Sequence, residues 1–133
     1  MRYIEGIKYV LAEDYSVQTP VIGEHVDSKW FTLTPDGRLT VREGFAWDGA
    51  SGPTIDTPAS MVPSLVHDVF CICMRDGRLS YARWQPTVNA FFYSQLRAAG
   101  MPAWRARIWH AGVVLGDAGN PKQGPDRVVL TAP

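Results

Sequence analysis

The sequence predicts an α+β fold: a small N-terminal antiparallel sheet, a Gly-rich loop, three helices and an extended C-terminal tail. Three observations predict this class. A hairpin pattern occupies residues 30–42, a loop-like stretch rich in Gly, Pro, Ser and Thr follows it, and three helical patterns come next. The 133 residues, 46% of them hydrophobic, suffice for one buried core. We therefore expect one domain over residues 1–116 and a tail over 117–133.

The first third of the chain has the pattern of short strands joined by turns. Residues 30–34 and 38–42 flank a Pro-Asp-Gly turn, in which Pro presets φ and Gly accepts a positive φ. Residues 38–42 alternate polar and apolar, as a half-buried strand does. Residues 7–11 and 17–22 are further strand candidates, the second interrupted by a proline. Residues 44–57 lack a regular pattern.

The first helix should begin near Pro58 or Ser64, with Pro63 in its first turn. Residues 65–74 are apolar on nearly all sides, which predicts a central, buried helix. Gly77 is the expected left-handed cap.

Two more amphipathic helices are predicted after it. The second spans about 86–99, and the third runs from Pro102 to about Leu115 before Gly116 ends it. Their apolar stripes are Val88, Phe91, Phe92, Leu96 and Ala99 in the second helix, and Trp104, Ile108, Ala111 and Leu115 in the third.

Charge and composition exclude several classes of partner. The formal net charge is zero, so bulk electrostatics favour neither nucleic acid nor an acidic membrane. The sequence has no apolar run of about 18 residues, hence no predicted membrane span, and its N-terminus has no signal-peptide pattern. Cys71 and Cys73 point to different sides of a helix and should not bond to each other, which indicates buried thiols in a reducing compartment.

His67 and Asp68 are the strongest candidates for chemistry. They stand side by side in the most apolar helix, where burying them costs several kcal/mol unless each has a partner. Adjacent helix positions differ by about 100°, so the two cannot serve each other. His67 could accept a proton from water, and Asp68 could bind a cation or cap the loop backbone. A purely structural pair, with the carboxylate tying the loop to the helix, is the alternative.

The loop before this helix is rich in oxygen donors. Asp48 and the backbone around Gly49 and Gly52, with Asp68, could hold a hard cation such as calcium. The sequence leaves the cofactor open, with calcium as the candidate. The alternative is an ordered turn in which Asp48 and Asp56 accept backbone N–H bonds.

A partner for His67 can be named from the second helix. Asn89 lies near its apolar stripe, so antiparallel packing of the first two helices would let it hold the His67 ring. A structural hydrogen bond is the alternative role. A zinc site of His67, Cys71 and His110 is a weaker prediction, because no standard zinc motif is present.

The pattern Gly44-Phe45-Ala46-Trp47-Asp48-Gly49-Ala50-Ser51, then His67-Asp68-Val69-Phe70, then Leu96 to Gly100, resembles the phage and prophage "domain of unknown function 1353" family. The resemblance covers about residues 41–116. It implies a phage or prophage genome, where such genes lie among structural and lysis genes. Two departures stand out: Gly52-Pro53-Thr54 where the family often has Pro-Arg, and Val88-Asn89 where it often has Ala-Asp.

The His-Asp helix after a Gly-rich loop is also similar, more distantly, to secreted phospholipase A2. That similarity implies His67 as general base, Asp68 with the Gly49 and Gly52 region as calcium ligands, and Asn89 in the place of a supporting Asp. The disulfide framework of that family is absent, and the loop-to-histidine spacing differs, so the similarity is analogy.

Two functions follow as expectations. The first is a structural or accessory phage particle protein of the tail or attachment region, contacting other phage structural proteins through residues 117–133 and located in the virion or host cytoplasm. The second is a calcium-dependent hydrolase of lipid or envelope bonds. Whether the protein is an enzyme stays open at this point.

Overall fold

Strands precede helices along the chain, which confirms the α+β class. The computed structural model describes residues 9–47 and 58–119, with side chains described for 9–47 and 61–114. Within those ranges the strands are β1 (Tyr9–Val10), β2 (Tyr15–Gln18), β3 (Val26–Asp27), β4 (Phe31–Leu33), β5 (Arg38–Val41) and β6 (Ala46–Trp47). The helices are α1 (Pro58–Arg75), α2 (Tyr81–Ala98) and α3 (Ala103–Gly119).

The predicted hairpin forms the centre of the larger sheet. The antiparallel order is β2-β5-β4-β3, and Leu33 of β4 lies opposite Leu39 of β5, both buried. The turn closes through a bond from the Thr34 N–H to the Arg38 carbonyl oxygen (3.0 Å). Gly37 takes a φ of +89°, the conformation that the Pro-Asp-Gly signal predicted.

One strand prediction needed correction, and two short strands were not predicted at all. The strand expected over 17–22 ends at Gln18, because residues 19–21 form a turn instead. In that turn the Thr19 hydroxyl donates to the Gly37 carbonyl oxygen (2.8 Å) and accepts from the Val21 N–H (3.2 Å). The two-residue strands β3 and β6 were not predicted, since their pairing to β4 and β1 comes from tertiary position rather than from a pattern of their own.

Helix α1 is the central element, as predicted. It packs its apolar residues against the sheet and α2, and it ends before Gly77, whose φ is +78°. The helix begins at Pro58, so Pro63 lies inside it rather than in its first turn. The Trp47 indole N–H donates to the Ser64 hydroxyl (3.2 Å), which ties β6 to α1. The buried residues of α1 are Leu65, Val66, Val69, Phe70, Cys71, Ile72, Cys73 and Met74.

Helix α2 begins earlier than the predicted residue 86. Ser80 caps it by accepting from the Arg83 N–H (3.2 Å), so a proline at position 86 falls inside the helix. The earlier start adds Trp84 to the core. Its indole N–H donates to Glu24 Oε2 (2.8 Å), which ties α2 to the loop before β3.

The predicted apolar face of α3 was wrong. Trp104 is 65% exposed and Ile108 45%, whereas Ala106 and Trp109 are buried. The helix is covered on the side that meets α2, where the Trp109 and Phe92 rings lie 6.2 Å apart. Its backbone also continues past Gly116, the predicted end, to Gly119. Residues 117–119 therefore belong to α3 and not to the predicted extended tail, whereas residues 120–133 lie outside the described part, so the rest of the tail stays a prediction.

Over residues 9–47 and 58–119, no helix combines the length and apolar content that a bilayer crossing requires. This agrees with the sequence, which has no apolar run of that length.

Replacing Gly37 should destabilise the hairpin more than replacing Gly77. Both have positive φ, so alanine strains each by roughly 1 kcal/mol. A Cβ at Gly37 would also overlap the Thr19 carbonyl oxygen, whereas none of the described atoms lies within 4 Å of a Cβ at Gly77. We expect Gly37→Ala to lower the free energy of unfolding by about 1–2 kcal/mol more than Gly77→Ala in urea titrations. Equal losses would contradict the predicted overlap.

Candidate functional site

The candidate site lies where α1 crosses α2. Only residues 76–80 connect the two helices, and a connection that short makes them antiparallel neighbours. This pairing places His67 of α1 opposite Asn89 of α2, although they are 22 residues apart in sequence. His67 is half-buried and Asn89 is 2% exposed. The ring of His67 also packs on Phe92, with ring centroids 5.1 Å apart.

The predicted contact between His67 and Asn89 is confirmed. His67 Nε2 lies 2.7 Å from Asn89 Oδ1. A carboxamide oxygen can only accept, so Nε2 carries the proton in the neutral ring and donates it to Asn89. The other ring nitrogen, Nδ1, is then the hydrogen-bond acceptor. Asn89 thus selects one tautomer of His67 and one orientation of its ring.

The acceptor nitrogen of His67 faces a thiol. Nδ1 lies 3.5 Å from Cys71 Sγ, because residues four apart lie on the same face of a helix. The sequence prediction joined these two residues only as zinc ligands with His110. That grouping is wrong: across the described residues no cluster of three or more His, Cys, Asp or Glu side chains could hold a metal ion. His110 instead packs edge-on against the Tyr93 ring, at 6.1 Å.

The side-chain nitrogen of Asn89, Nδ2, is buried and has no hydrogen-bond partner in the described part of the chain. Buried amide groups are nearly always paired, because an unpaired one costs about 1–3 kcal/mol. The site therefore contains a buried donor beside the His67 ring that a ligand oxygen could satisfy.

The predicted calcium ligands are only partly described. Asp68 is half-buried in α1, next to His67 in sequence and therefore pointing in a different direction. Asp48, Gly49 and Gly52 lie outside the described residues, and Asp56 does too. The calcium set consequently stays a prediction.

The two cysteines of α1 have different surroundings. Both lie in the described part of the chain, and neither forms a disulfide, as predicted from their spacing. Cys73 is 1% exposed, and burial raises the pKa of its thiol to about 12, while Arg78 lowers that pKa slightly and Asp76 adds slightly to the rise. Cys71 is 7% exposed and lies beside a ring nitrogen that can accept its proton.

The thiol–imidazole pair is the feature that sequence reasoning missed. The signal was present as a histidine and a cysteine four residues apart in one helix. That spacing alone says nothing about which ring nitrogen meets the thiol. The nitrogen depends on Asn89, which comes from another helix.

Comparisons with known protein families, with curated proteins and with solved structures found no match to this chain. The likeness to the phage family and to phospholipase A2 sites therefore stays a prediction from the residues that carry it.

Cys73 should make the fold sensitive to alkaline pH. Below pH 9 the thiol holds its proton in both the folded and unfolded chain, so it adds no pH dependence. Above pH 9 the unfolded chain loses the proton while the folded chain keeps it up to about pH 12. The free energy of unfolding should fall across this window by up to about 4 kcal/mol more in the wild type than in Cys73→Ala.

Denaturant titrations of both proteins between pH 8 and pH 11, which cover about two thirds of the window below the thiol pKa of about 12, should show about 2–3 kcal/mol of this difference. Parallel pH profiles for the two proteins would show that Cys73 ionises as freely in the folded chain as in the unfolded one.

Proposed function

We propose that the protein is a hydrolase in which His67 is the general base and Asn89 its positioning residue. The observation that supports this proposal is the 2.7 Å hydrogen bond between His67 Nε2 and Asn89 Oδ1, which leaves Nδ1 as the proton acceptor. A histidine whose ring is held in one orientation by a second side chain, half-buried at a helix crossing, is a suitable general base.

The substrate class follows from the chemistry and from the phospholipase analogy. A neutral imidazole can take the proton from a nucleophile that attacks an ester carbonyl. Asn89 orients the ring but, as a neutral amide, does not stabilise the imidazolium as a carboxylate would. The phospholipase analogy supplies the substrate class, a lipid ester or another envelope ester, and the neutral amide predicts slower turnover than a carboxylate in its place would support.

Calcium is part of the proposal only as a binding prediction. Asp68 would supply a carboxylate, and Asp48 with the carbonyls near Gly49 and Gly52 would supply further oxygens. Bound calcium would supply positive charge to polarise an ester carbonyl. The steps assigned to His67 and Asn89 do not depend on it.

Ester hydrolysis should depend on His67. With vesicles of phosphatidylcholine and phosphatidylglycerol, and with p-nitrophenyl butyrate as a soluble ester, we expect His67→Ala to lower the rate at least roughly a hundred-fold. His25→Ala is the matched control, since His25 is exposed. Assays with calcium and with a chelator measure the contribution of the metal. Equal rates for wild type and His67→Ala would contradict the proposal.

The same assay includes a test of the Asn89 role. In Asn89→Asp a carboxylate would face His67 Nε2 and raise the pKa of the ring, so the acidic limb of the pH–rate profile should move to higher pH. Asn89→Ala should lower the rate without such a move. Identical profiles in all three proteins would mean that Asn89 has only a packing role.

A phage particle protein is the second candidate. It is supported by the family resemblance and by the exposed face of α3, where Trp104 and Ile108 lie one turn apart. Large exposed apolar side chains side by side are typical of interaction surfaces. The partners would be other phage structural proteins, through this face and through residues 117–133.

Density-purified particles induced from the organism that encodes this chain test that candidate. Mass spectrometry should find peptides of this chain in the particles at a constant ratio to the tail proteins. Trp104→Ser should reduce that ratio, whereas Ala82→Ser, at an exposed position of α2, should leave it unchanged. Particles that lack the chain would contradict a structural role and leave the hydrolase proposal standing.

A further inference from the structure

We propose that Cys71 is the nucleophile of this site, so that Cys71, His67 and Asn89 form a thiol hydrolase triad. The inference rests on the proposed hydrolase function and specifies it: the atom that attacks the substrate is the Cys71 sulfur rather than a water oxygen. His67 would be the base that takes the thiol proton, and Asn89 would position His67.

The three side chains form one chain of contacts. Asn89 Oδ1 accepts from His67 Nε2 at 2.7 Å, and His67 Nδ1 lies 3.5 Å from Cys71 Sγ. Each contact determines the next, because the carboxamide oxygen places the ring proton on Nε2 and leaves the Nδ1 lone pair towards the thiol. A nucleophile, a base and a third group that orients the base are the general signature of covalent catalysis. Cys, His and Asn serve these roles in one class of thiol hydrolase.

A second observation points to a ligand at the same place. Asn89 Nδ2 is buried without a hydrogen-bond partner among the described residues, and it belongs to the side chain that holds His67. A structural Asn would be expected to pair both ends of its amide. A substrate oxygen beside the ring would supply the missing acceptor.

Cys73 provides a comparison within the same helix. It is buried like Cys71, but its surroundings raise its thiol pKa to about 12. Only the thiolate is an effective nucleophile, so Cys73 should be inert near neutral pH. Cys71 differs in having an imidazole nitrogen at 3.5 Å.

The proposed reaction proceeds in two steps, acylation of Cys71 and hydrolysis of the resulting thioester. His67 Nδ1 takes the thiol proton while Cys71 Sγ bonds to the ester carbonyl carbon, giving a tetrahedral oxyanion. Its collapse breaks the bond to the leaving alkoxide, which takes the proton from His67, leaving a thioester on Cys71 and a free alcohol. In the second step His67 takes a proton from water while the hydroxyl adds to the thioester carbonyl carbon. Collapse of that intermediate breaks the carbon–sulfur bond, the Cys71 thiolate takes the proton back from His67, and the carboxylic acid leaves.

Site-resolved alkylation tests the activation of Cys71 without any assumption about the substrate. The native protein is treated with iodoacetamide over a range of pH, and the labelled peptides are quantified by mass spectrometry. Cys71 should react at least about tenfold faster than Cys73 at neutral pH. The alkylation rate of Cys71 should also rise at a pH below the pKa of an ordinary thiol. His67→Ala should remove this advantage.

The conservative variant His67→Gln keeps the size of the side chain but cannot become an imidazolium, which guards against loss of folding in His67→Ala. A Cys71 rate that follows an ordinary thiol titration, or that is the same in wild type and His67→Gln, would overturn the inference.

Ester hydrolysis by Cys71→Ala and Cys73→Ala separates this inference from the proposed function. Loss of activity in Cys71→Ala and His67→Ala but not in Cys73→Ala, with an acyl group found on the Cys71 peptide, supports both. Loss in His67→Ala alone overturns the nucleophile assignment and leaves a water-attacking hydrolase. Activity retained in both Cys71→Ala and His67→Ala overturns the triad and the proposed function together.

Discussion

The burial of α1 is the constraint on which the rest of the structure depends. A helix that is apolar on nearly all sides needs neighbours on most of them, and here the sheet and α2 supply those neighbours. Burial on that scale requires that every polar group in the helix find a partner. His67 meets the requirement through Asn89 of α2 and Cys71 of its own helix. The contacts that satisfy the ring nitrogens of His67 in the core are therefore the same contacts on which the proposed chemistry depends.

The site also lies at the junction of two hydrophobic clusters. One contains the sheet and α1, and the other contains the second half of α2 with α3. His67 contacts Phe92, which belongs to the second cluster and packs in turn on Trp109. A truncation at His67 would loosen this junction as well as remove a base. Conservative replacements are thus needed to distinguish chemistry from packing at this position.

Much of the fold could be predicted from local signals. The hairpin around Gly37 and the buried character of α1 with its Gly77 cap depend on residues close in sequence. The start of α2 at Tyr81 could have been found from the Ser80 cap, but a proline at position 86 suggested a later start. The strands β3 and β6 carry too short a pattern to recognise, because their existence depends on the partners β4 and β1.

By itself the sequence determined the fold class, the i, i+4 relation of His67 and Cys71, and Asn89 as the expected partner of His67. Only the tertiary structure decided which nitrogen of His67 meets each partner, because that choice depends on the contact across the helix crossing. It likewise decided which stripe of α3 is buried. Trp104 and Trp109 both belong to stripes with helical spacing, and contact with Phe92 of α2 covers only the side that carries Trp109.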